Sequence, residues 1–296
     1  MMHWTCLVLL SALSLALYDL AKKASVRENA VLPVLLVSTA CGGTAFVATL
    51  ALAGRLDETL ALLSSRVLIL GALKSLLVSV SWIFTFCALR TLPLTIATPI
   101  RASAPAVVFL TALFLYGEVP SLVQGVGMLA VFAGYFAFSW AGRHEGIDFL
   151  RNHAVWCAVA GMVLSAASAI FDKYVFQVAA MPVEPTQLVF QSGLFVVYAM
   201  CFGLTRLIPA LRHRAHAFSW RWTIPLVGVL LALADYLYFR GLATPGVPIS
   251  VCSLVRRFSV VLTFVLGALF FHETNVRRKA LALVLVLAGV ALLTIR

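Results

Sequence analysis

Ten apolar runs follow one another along this chain, each near the length of a bilayer-crossing helix, with short polar connections between them. They are Trp4–Ala21, Val31–Ala53, Val67–Leu89, Pro93–Tyr116, Leu122–Trp140, Ala154–Phe176, Thr186–Ile208, Trp222–Ala243, Val247–Phe271 and Ala280–Ile295. About 20 apolar residues cross the hydrocarbon core as a helix. Lipid offers backbone N–H and C=O groups no partner, so such runs must satisfy their hydrogen bonds internally. A chain that is 62% hydrophobic and only 11% charged lies far from an ordinary soluble domain. The reading is an all-α integral membrane protein. The longest polar connections, Ala141–His153 and Pro209–Arg221, leave no room for a soluble domain.

The ninth run, Val247–Phe271, carries Arg256 and Arg257 near its middle, and it has a counterpart. A constant shift of 155 residues carries Arg101 onto Arg256, Pro93 onto Pro248, Glu118 onto Glu273 and Gly134 onto Gly289. Phe84, Ala88 and Phe109 fall on Phe239, Ala243 and Phe264 in the same register. The chain therefore reads as two copies of one unit, 1–140 and 154–296, joined by the connection 141–153. Five spans per copy is an odd number, so the second copy enters the membrane from the opposite side. Inverted repeats of this kind build many secondary transporters, with the substrate site near the midplane where the copies meet. A duplicated bundle without a transport role is the plainer alternative.

The formal net charge of +11 would point to nucleic acid in a soluble chain. Here no basic stretch carries interleaved aromatics, so no nucleic-acid partner is expected, and cationic loops anchor helices on the cytoplasmic side. Connections after odd-numbered spans hold most of the Lys and Arg, which puts them in the cytoplasm and both termini outside. The six cysteines lie inside apolar runs without metal-ligand spacing, so neither a disulfide framework nor a metal site follows. Trp4–Leu20 lacks a basic leader and a small-residue cleavage site and reads as a retained first helix.

Ionisable residues inside spans are functional candidates by default. The cations are Lys74 on span three, Arg101 on span four, and Arg256 and Arg257 on span nine; the central anion is Asp235 on span eight. On this count cations outnumber anions at depth, which calls for an anionic cargo held by a bidentate guanidinium. Alternatively Arg101 and Arg256 satisfy carbonyls freed by Pro99, Pro105 and Pro248. Arg257 and Lys74 have no repeat equivalent, since Ala102 and Val229 occupy those places, so they are the better candidates for specificity.

Helical spacing puts Lys74, Val78, Ser81 and Thr85 on one face with Trp82 beside it, and sets Asp235 three residues from Tyr238. Ser253, Arg256 and Thr263 share a face of span nine, and Tyr236 forms an i,i+4 pair with Arg240. Polar faces on apolar helices describe a wet cavity, in which Trp82, Tyr236 and Tyr238 would stack on the cargo or simply pack the bundle. Asp19 and Asp172 occupy equivalent ends of the first span of each copy, beside Lys22, Lys23 and Lys173. Each is a gate or proton-coupling group, or else a helix-end ion pair. Asp235, the deepest, is a coupling candidate or a permanent counter-ion. Spans five and ten carry glycines (Gly125, Gly127, Gly134, Gly289) that permit close packing, within the chain or in a homodimer.

The two copies, the arginine-bearing fourth and ninth spans, and the glutamates that follow them (Leu-Tyr-Gly-Glu at 115–118, Phe-Phe-His-Glu at 270–273) resemble the EamA-type transporters of the drug/metabolite transporter superfamily. The resemblance covers essentially the full chain. It implies a ten-helix inverted-repeat carrier whose cavity is lined by spans one, three, four, six, eight and nine, with five and ten outside it. It does not fix the substrate, which across that superfamily ranges from amino acids and sugars to drugs and lipid-linked intermediates.

The expected function is a secondary carrier, an exporter in a bacterial inner membrane, for a small metabolite with an anionic group. A zwitterionic amino acid is the most economical cargo, its carboxylate on Arg256, Arg257 or Lys74 and its ammonium on Asp235. A flippase for a phosphate-linked lipid is the alternative within this architecture. A non-transporting membrane interaction protein is the alternative of another class. No nucleophile elbow, metalloprotease motif or phosphate-binding loop is present, so neither an enzyme nor a cofactor is expected.

Overall fold

Proline and capping residues punctuate the chain into helices. The computed structural model describes residues 4–102, 104, 107, 121–143, 150–207, 217–244, 256, 258–271 and 276–293. In order these hold α1 (Trp4–Val26), α2 (Val31–Leu52), the short α3 (Leu56–Ala61), α4 (Ser65–Thr91), α5 (Leu94–Ala102), α6 (Leu122–Arg143) and α7 (His153–Lys173). A π-helical turn, Tyr174–Val178, extends α7. There follow α8 (Val183–Leu207), α9 (Thr223–Leu242), α10 (Phe258–Phe270) and α11 (Val276–Leu293). A helix falls within every apolar run, and no strand occurs among the described residues. Among the described residues, six helices (α1, α2, α4, α7 with its π turn, α8 and α9) are long and apolar enough to cross a membrane.

Local chemistry sets the ends. Ser64 caps α4 by accepting from the Val67 amide, and Asn152 caps α7 by accepting from Ala154. Leu92 leaves α4 with extended backbone (φ −76°, ψ 142°) because Pro93 disfavours the helical region for the residue before it. Gly54 ends the α2 region at φ 66°. Glu28 and Ala180, the non-glycine residues at positive φ, sit in the turns that close α1 and the π-extended α7. Some helices run beyond the edges that hydropathy suggests, because buried polar residues are helical: Lys22 and Lys23 at the end of α1, and Glu184 at the start of α8.

The apolar/polar pattern is that of a membrane bundle turned outward. On α1, Leu9, Leu10, Leu13 and Leu17 are exposed while Ser11, Ser14, Asp19 and Lys22 are buried. Hydroxyls inside helices return to the carbonyl one turn back, as in Ser25 to Ala21, Ser79 to Ser75 and Thr85 to Ser81. That removes their desolvation cost in a low-dielectric interior.

Helix pairs are specific. α1 packs on α9 and α10; α4 packs on α7 and α8; α2 packs on α8 and α9; α5 packs on α7 and α10; α6 packs on α11. Small residues let backbones meet. A Cβ on Gly42 would stand 2.5 Å from the Gly228 carbonyl oxygen, and one on Gly228 would fall on Ser38 O. Between α4 and α8, Gly193 instead leaves room for the Ser75 side chain. In the α6–α11 pair, a Cβ on Gly134 would meet Val286 Cγ2 at 2.5 Å, and one on Gly289 would meet Gly127 O at 2.6 Å and Val131 at 2.8 Å. Gly134 and Gly289 are therefore used inside the chain.

Candidate functional site

Between α1, α4, α7, α8, α9 and α10 lies a cavity of 160 Å³. On the same measure a single water needs roughly 10–15 Å³, so a compact solute has room here. Of the expected polar faces, Lys74, Val78, Ser81, Trp82 and Thr85 from α4, Asp235 and Tyr238 from α9, and Arg256 just ahead of α10 line it, whereas Tyr236, Arg240 and Thr263 do not. Asp19 and Asp172 line it too. The seventh run contributes Phe190 on α8, which the resemblance did not include, and no described residue of α5 lines the cavity. Of Arg101 the structure describes the helical backbone in α5. Arg257, Ser253, Glu118 and Glu273 lie outside the described residues.

Among the described lining residues the charges balance: Lys22, Lys74 and Arg256 match Asp19, Asp172 and Asp235. Lys22 Nζ donates to Asp19 Oδ1 at 2.7 Å, one turn along α1, so the helix-end pair expected there forms. Thr263 on α10 donates to the other carboxylate oxygen of Asp19 at 3.4 Å. Asp172 pairs with Lys74 across the α4–α7 interface; adjacent Lys173 points elsewhere, since neighbouring helix residues face different directions. Arg256 Nη2 donates to Asp235 Oδ1 at 2.9 Å.

Every one of these cations also meets an aromatic face. Lys22 Nζ lies 4.3 Å from the Tyr18 ring centre, and Lys74 Nζ lies 4.8 Å from both Phe190 and Phe239. Arg256 Cζ lies 3.9 Å above Tyr238. Carboxylate and ring quadrupole together compensate a desolvated cation. Trp82 packs edge-on against Phe190, with ring centres 6.4 Å apart. One donor is left over: the Arg256 Nε–H is buried with no acceptor among the described residues. A buried N–H without a partner forfeits hydrogen-bond energy that an incoming acceptor restores.

A second charged cluster went unseen in the sequence. Glu184 Oε1, at the start of α8, accepts from Arg55 Nη2 at 3.1 Å and from Arg240 Nη1 and the Tyr236 hydroxyl, both at 3.2 Å. Tyr236 and Arg240, expected to pair with each other, thus share a carboxylate contributed by another helix. Among the described residues no group of three or more His, Cys, Asp or Glu side chains is arranged to hold a metal.

The sequence profile of the EamA-like transporter family matches residues 2–140. One solved crystal structure superposes on 98% of this chain and 95% of its own, with a TM-score of 0.66 and 19% identity. At that identity the likeness speaks to the fold alone. No curated protein matches the chain.

Proposed function

We propose that this chain, whose residues 2–140 match the profile of the EamA-like transporter family, is a secondary carrier working by alternating access. Its cargo is a small metabolite with an anionic group, best read as a zwitterionic amino acid or a close relative. The observation that carries the cargo assignment is the balanced ring of charges around the cavity. In a low-dielectric site a purely anionic cargo leaves an uncompensated charge, which is costly. A zwitterion changes no net charge. Its carboxylate takes the vacant Arg256 Nε–H, and its ammonium takes a share of Asp235 or Asp172. Balance therefore favours a zwitterion over a phosphate-linked lipid. Trp82, Tyr238 and Phe190 bound the space for the side chain.

Ten spans in two inverted five-helix repeats are the architecture this reading uses. Exchanging the two copies exchanges α1 with α7, α2 with α8, α4 with α9, α5 with α10 and α6 with α11. Under that exchange α1–α9 becomes α7–α4, α2–α9 becomes α8–α4, and α1–α10 becomes α7–α5, all of them observed pairs. α2–α8, α5–α10 and α6–α11 map onto themselves. The glycine contacts obey the same rule: Gly134 against Ala282 and Val286 becomes Gly289 against Gly127 and Val131 at the same shift of 155. A bacterial inner membrane and an export direction complete the reading. Self-association would use the exposed face of α6, where Leu129, Phe132 and Phe136 lie.

The test is thermal stabilisation of the purified protein by amino acids, organic acids, phosphorylated sugars and lipid phosphates, repeated on Arg256→Ala and Asp235→Asn. A ligand that binds the folded state raises the melting temperature by mass action. Stabilisation of the parent by a zwitterion, lost in both variants, is the expected result. Stabilisation by neutral or purely cationic compounds alone would make Arg256 scaffold and sink the cargo assignment.

A further inference from the structure

The helices around the cavity fall into two sets. α1 packs on α9 and α10, and α2 packs on α9, so α1, α2, α9 and α10 hold together. α4 packs on α7 and α8, and α5 packs on α7, so α4, α5, α7 and α8 do likewise. Contacts of α2 with α8 and of α5 with α10 join the sets. The cavity lies between them. Asp235 and Arg256 stand on the wall of the first set, Lys74 and Asp172 on that of the second.

These four residues make two ion pairs, and each closes inside one set. Arg256 Nη2 donates to Asp235 Oδ1 on α9 at 2.9 Å, and its guanidinium rests on Tyr238 of the same helix. Lys74 pairs with Asp172, joining α4 to α7. Neither pair ties set to set. Yet the charges are near enough to act on one another across the cavity: Asp172 is within electrostatic reach of both Asp235 and Arg256, and Lys74 within reach of Asp235.

A ligand shifts a conformational equilibrium only by its difference in affinity for the two states. A zwitterion seated on Arg256 and Asp235 touches one set, and binds alike whether the sets stand together or apart. One seated on Arg256 and Asp172 spans the cavity. Asp172 has the capacity for it: Lys74 occupies Oδ1, and a carboxylate offers two oxygens with about four lone-pair sites. Sharing does not strand Lys74, because its ammonium also lies 4.8 Å from the rings of Phe190 and Phe239.

We propose that Asp172 is the carboxylate that takes the cargo's ammonium, while Asp235 holds Arg256 in place for the cargo's carboxylate. This rests on the zwitterion and alternating-access reading above, and chooses between the two carboxylates that reading leaves open. A loaded cavity is bridged from set to set, and the amino group is what couples binding to motion.

The twenty protein amino acids are screened by thermal stabilisation, and each that binds is compared with its deaminated twin, as L-alanine with propionate or L-leucine with 4-methylpentanoate. The separation of the sets is read by pulsed electron resonance between nitroxides at two exposed positions, Leu52→Cys at the end of α2 and Val178→Cys beyond α7, in a chain whose native cysteines are replaced by alanine. Leu10→Cys with Leu52→Cys, both in the first set, is the control. In the parent an amino acid should bind at least about tenfold tighter than its twin. It alone should change the Leu52–Val178 distance, with Leu10–Leu52 unmoved. In Asp172→Asn the preference and the distance change should both vanish, while the twin binds as before. If Asp172→Asn does not fold, Lys74→Met combined with Asp172→Leu removes both charges and makes the same comparison. A preference or a distance change that survives these substitutions overturns the assignment and leaves the zwitterion reading standing. If no amino acid binds the parent, the cargo reading falls and the assignment with it.

Discussion

The α6–α11 pair and the central cavity are held together differently, the one by small residues meeting in shape and the other by paired charges. In the pair, Gly134 and Gly289 make mirror contacts at an unchanged shift of 155, and the helices touch through glycine, alanine and valine. In the cavity the same shift finds no such likeness: Lys74 lines it, and Val229 stands at the corresponding position. Packing is satisfied by shape, and shape is preserved by keeping residues small in both halves. A cargo is not two-fold symmetric, so the residues that hold it have no reason to stay equal.

The largest way to break this comparison is to unpair the cavity. Lys74→Met strands the buried Asp172 carboxylate, and loss of one partner of a buried pair costs about 3–5 kcal/mol. Removing both charges with Lys74→Met and Asp172→Leu should recover most of that stability while abolishing transport. Thermal unfolding and vesicle uptake separate the two effects.

Next comes the packing pair. Gly134→Val and Gly289→Val each drive a side chain into the facing helix and should cost about 1–3 kcal/mol apiece. Symmetry requires similar values. If one is tolerated and the other unfolds the protein, the α6–α11 interface is not the two-fold contact described here.

A finer cut is Arg256→Lys, which keeps a charge for Asp235 and deletes the guanidinium edge. Parental stability is expected, with cargo affinity lower by about tenfold, roughly 1.4 kcal/mol. Unchanged affinity would remove Arg256 from the binding role. The smallest effect is reserved for the outer cluster. Glu184→Gln should cost less than about 1 kcal/mol, because Arg55 and Arg240 are substantially exposed and solvent screens them. Its loss should leave cargo affinity unchanged in the same stabilisation assay.

What the sequence disclosed follows from the range of its signals. The face Lys74, Val78, Ser81, Thr85 is written in local spacing, and all four residues line the cavity. The α6–α11 glycines are written in the 155-residue shift. Asp172 shows the limit: its partner lies 98 residues away, and nothing near it in sequence names Lys74. Lys23 reads as a loop cation because a charge beside a span end is ordinarily solvated, yet it is buried on two carbonyls. Phe190 sits in a uniformly apolar run, where no polar neighbour marks the face that meets the cavity. Counting charges along the chain suggested a cation surplus; only three-dimensional pairing reveals the balance among the described residues.

Where Gly42 crosses Gly228, main chain rests on main chain, with no rotamer between them to yield. Such a crossing behaves mechanically as a pin. If α9 tilts, α2 must turn about that point instead of sliding past it. Small displacements near the pin become large ones at the helix ends, so stiffness at this one glycine crossing would set how readily α2 and α9 move relative to each other.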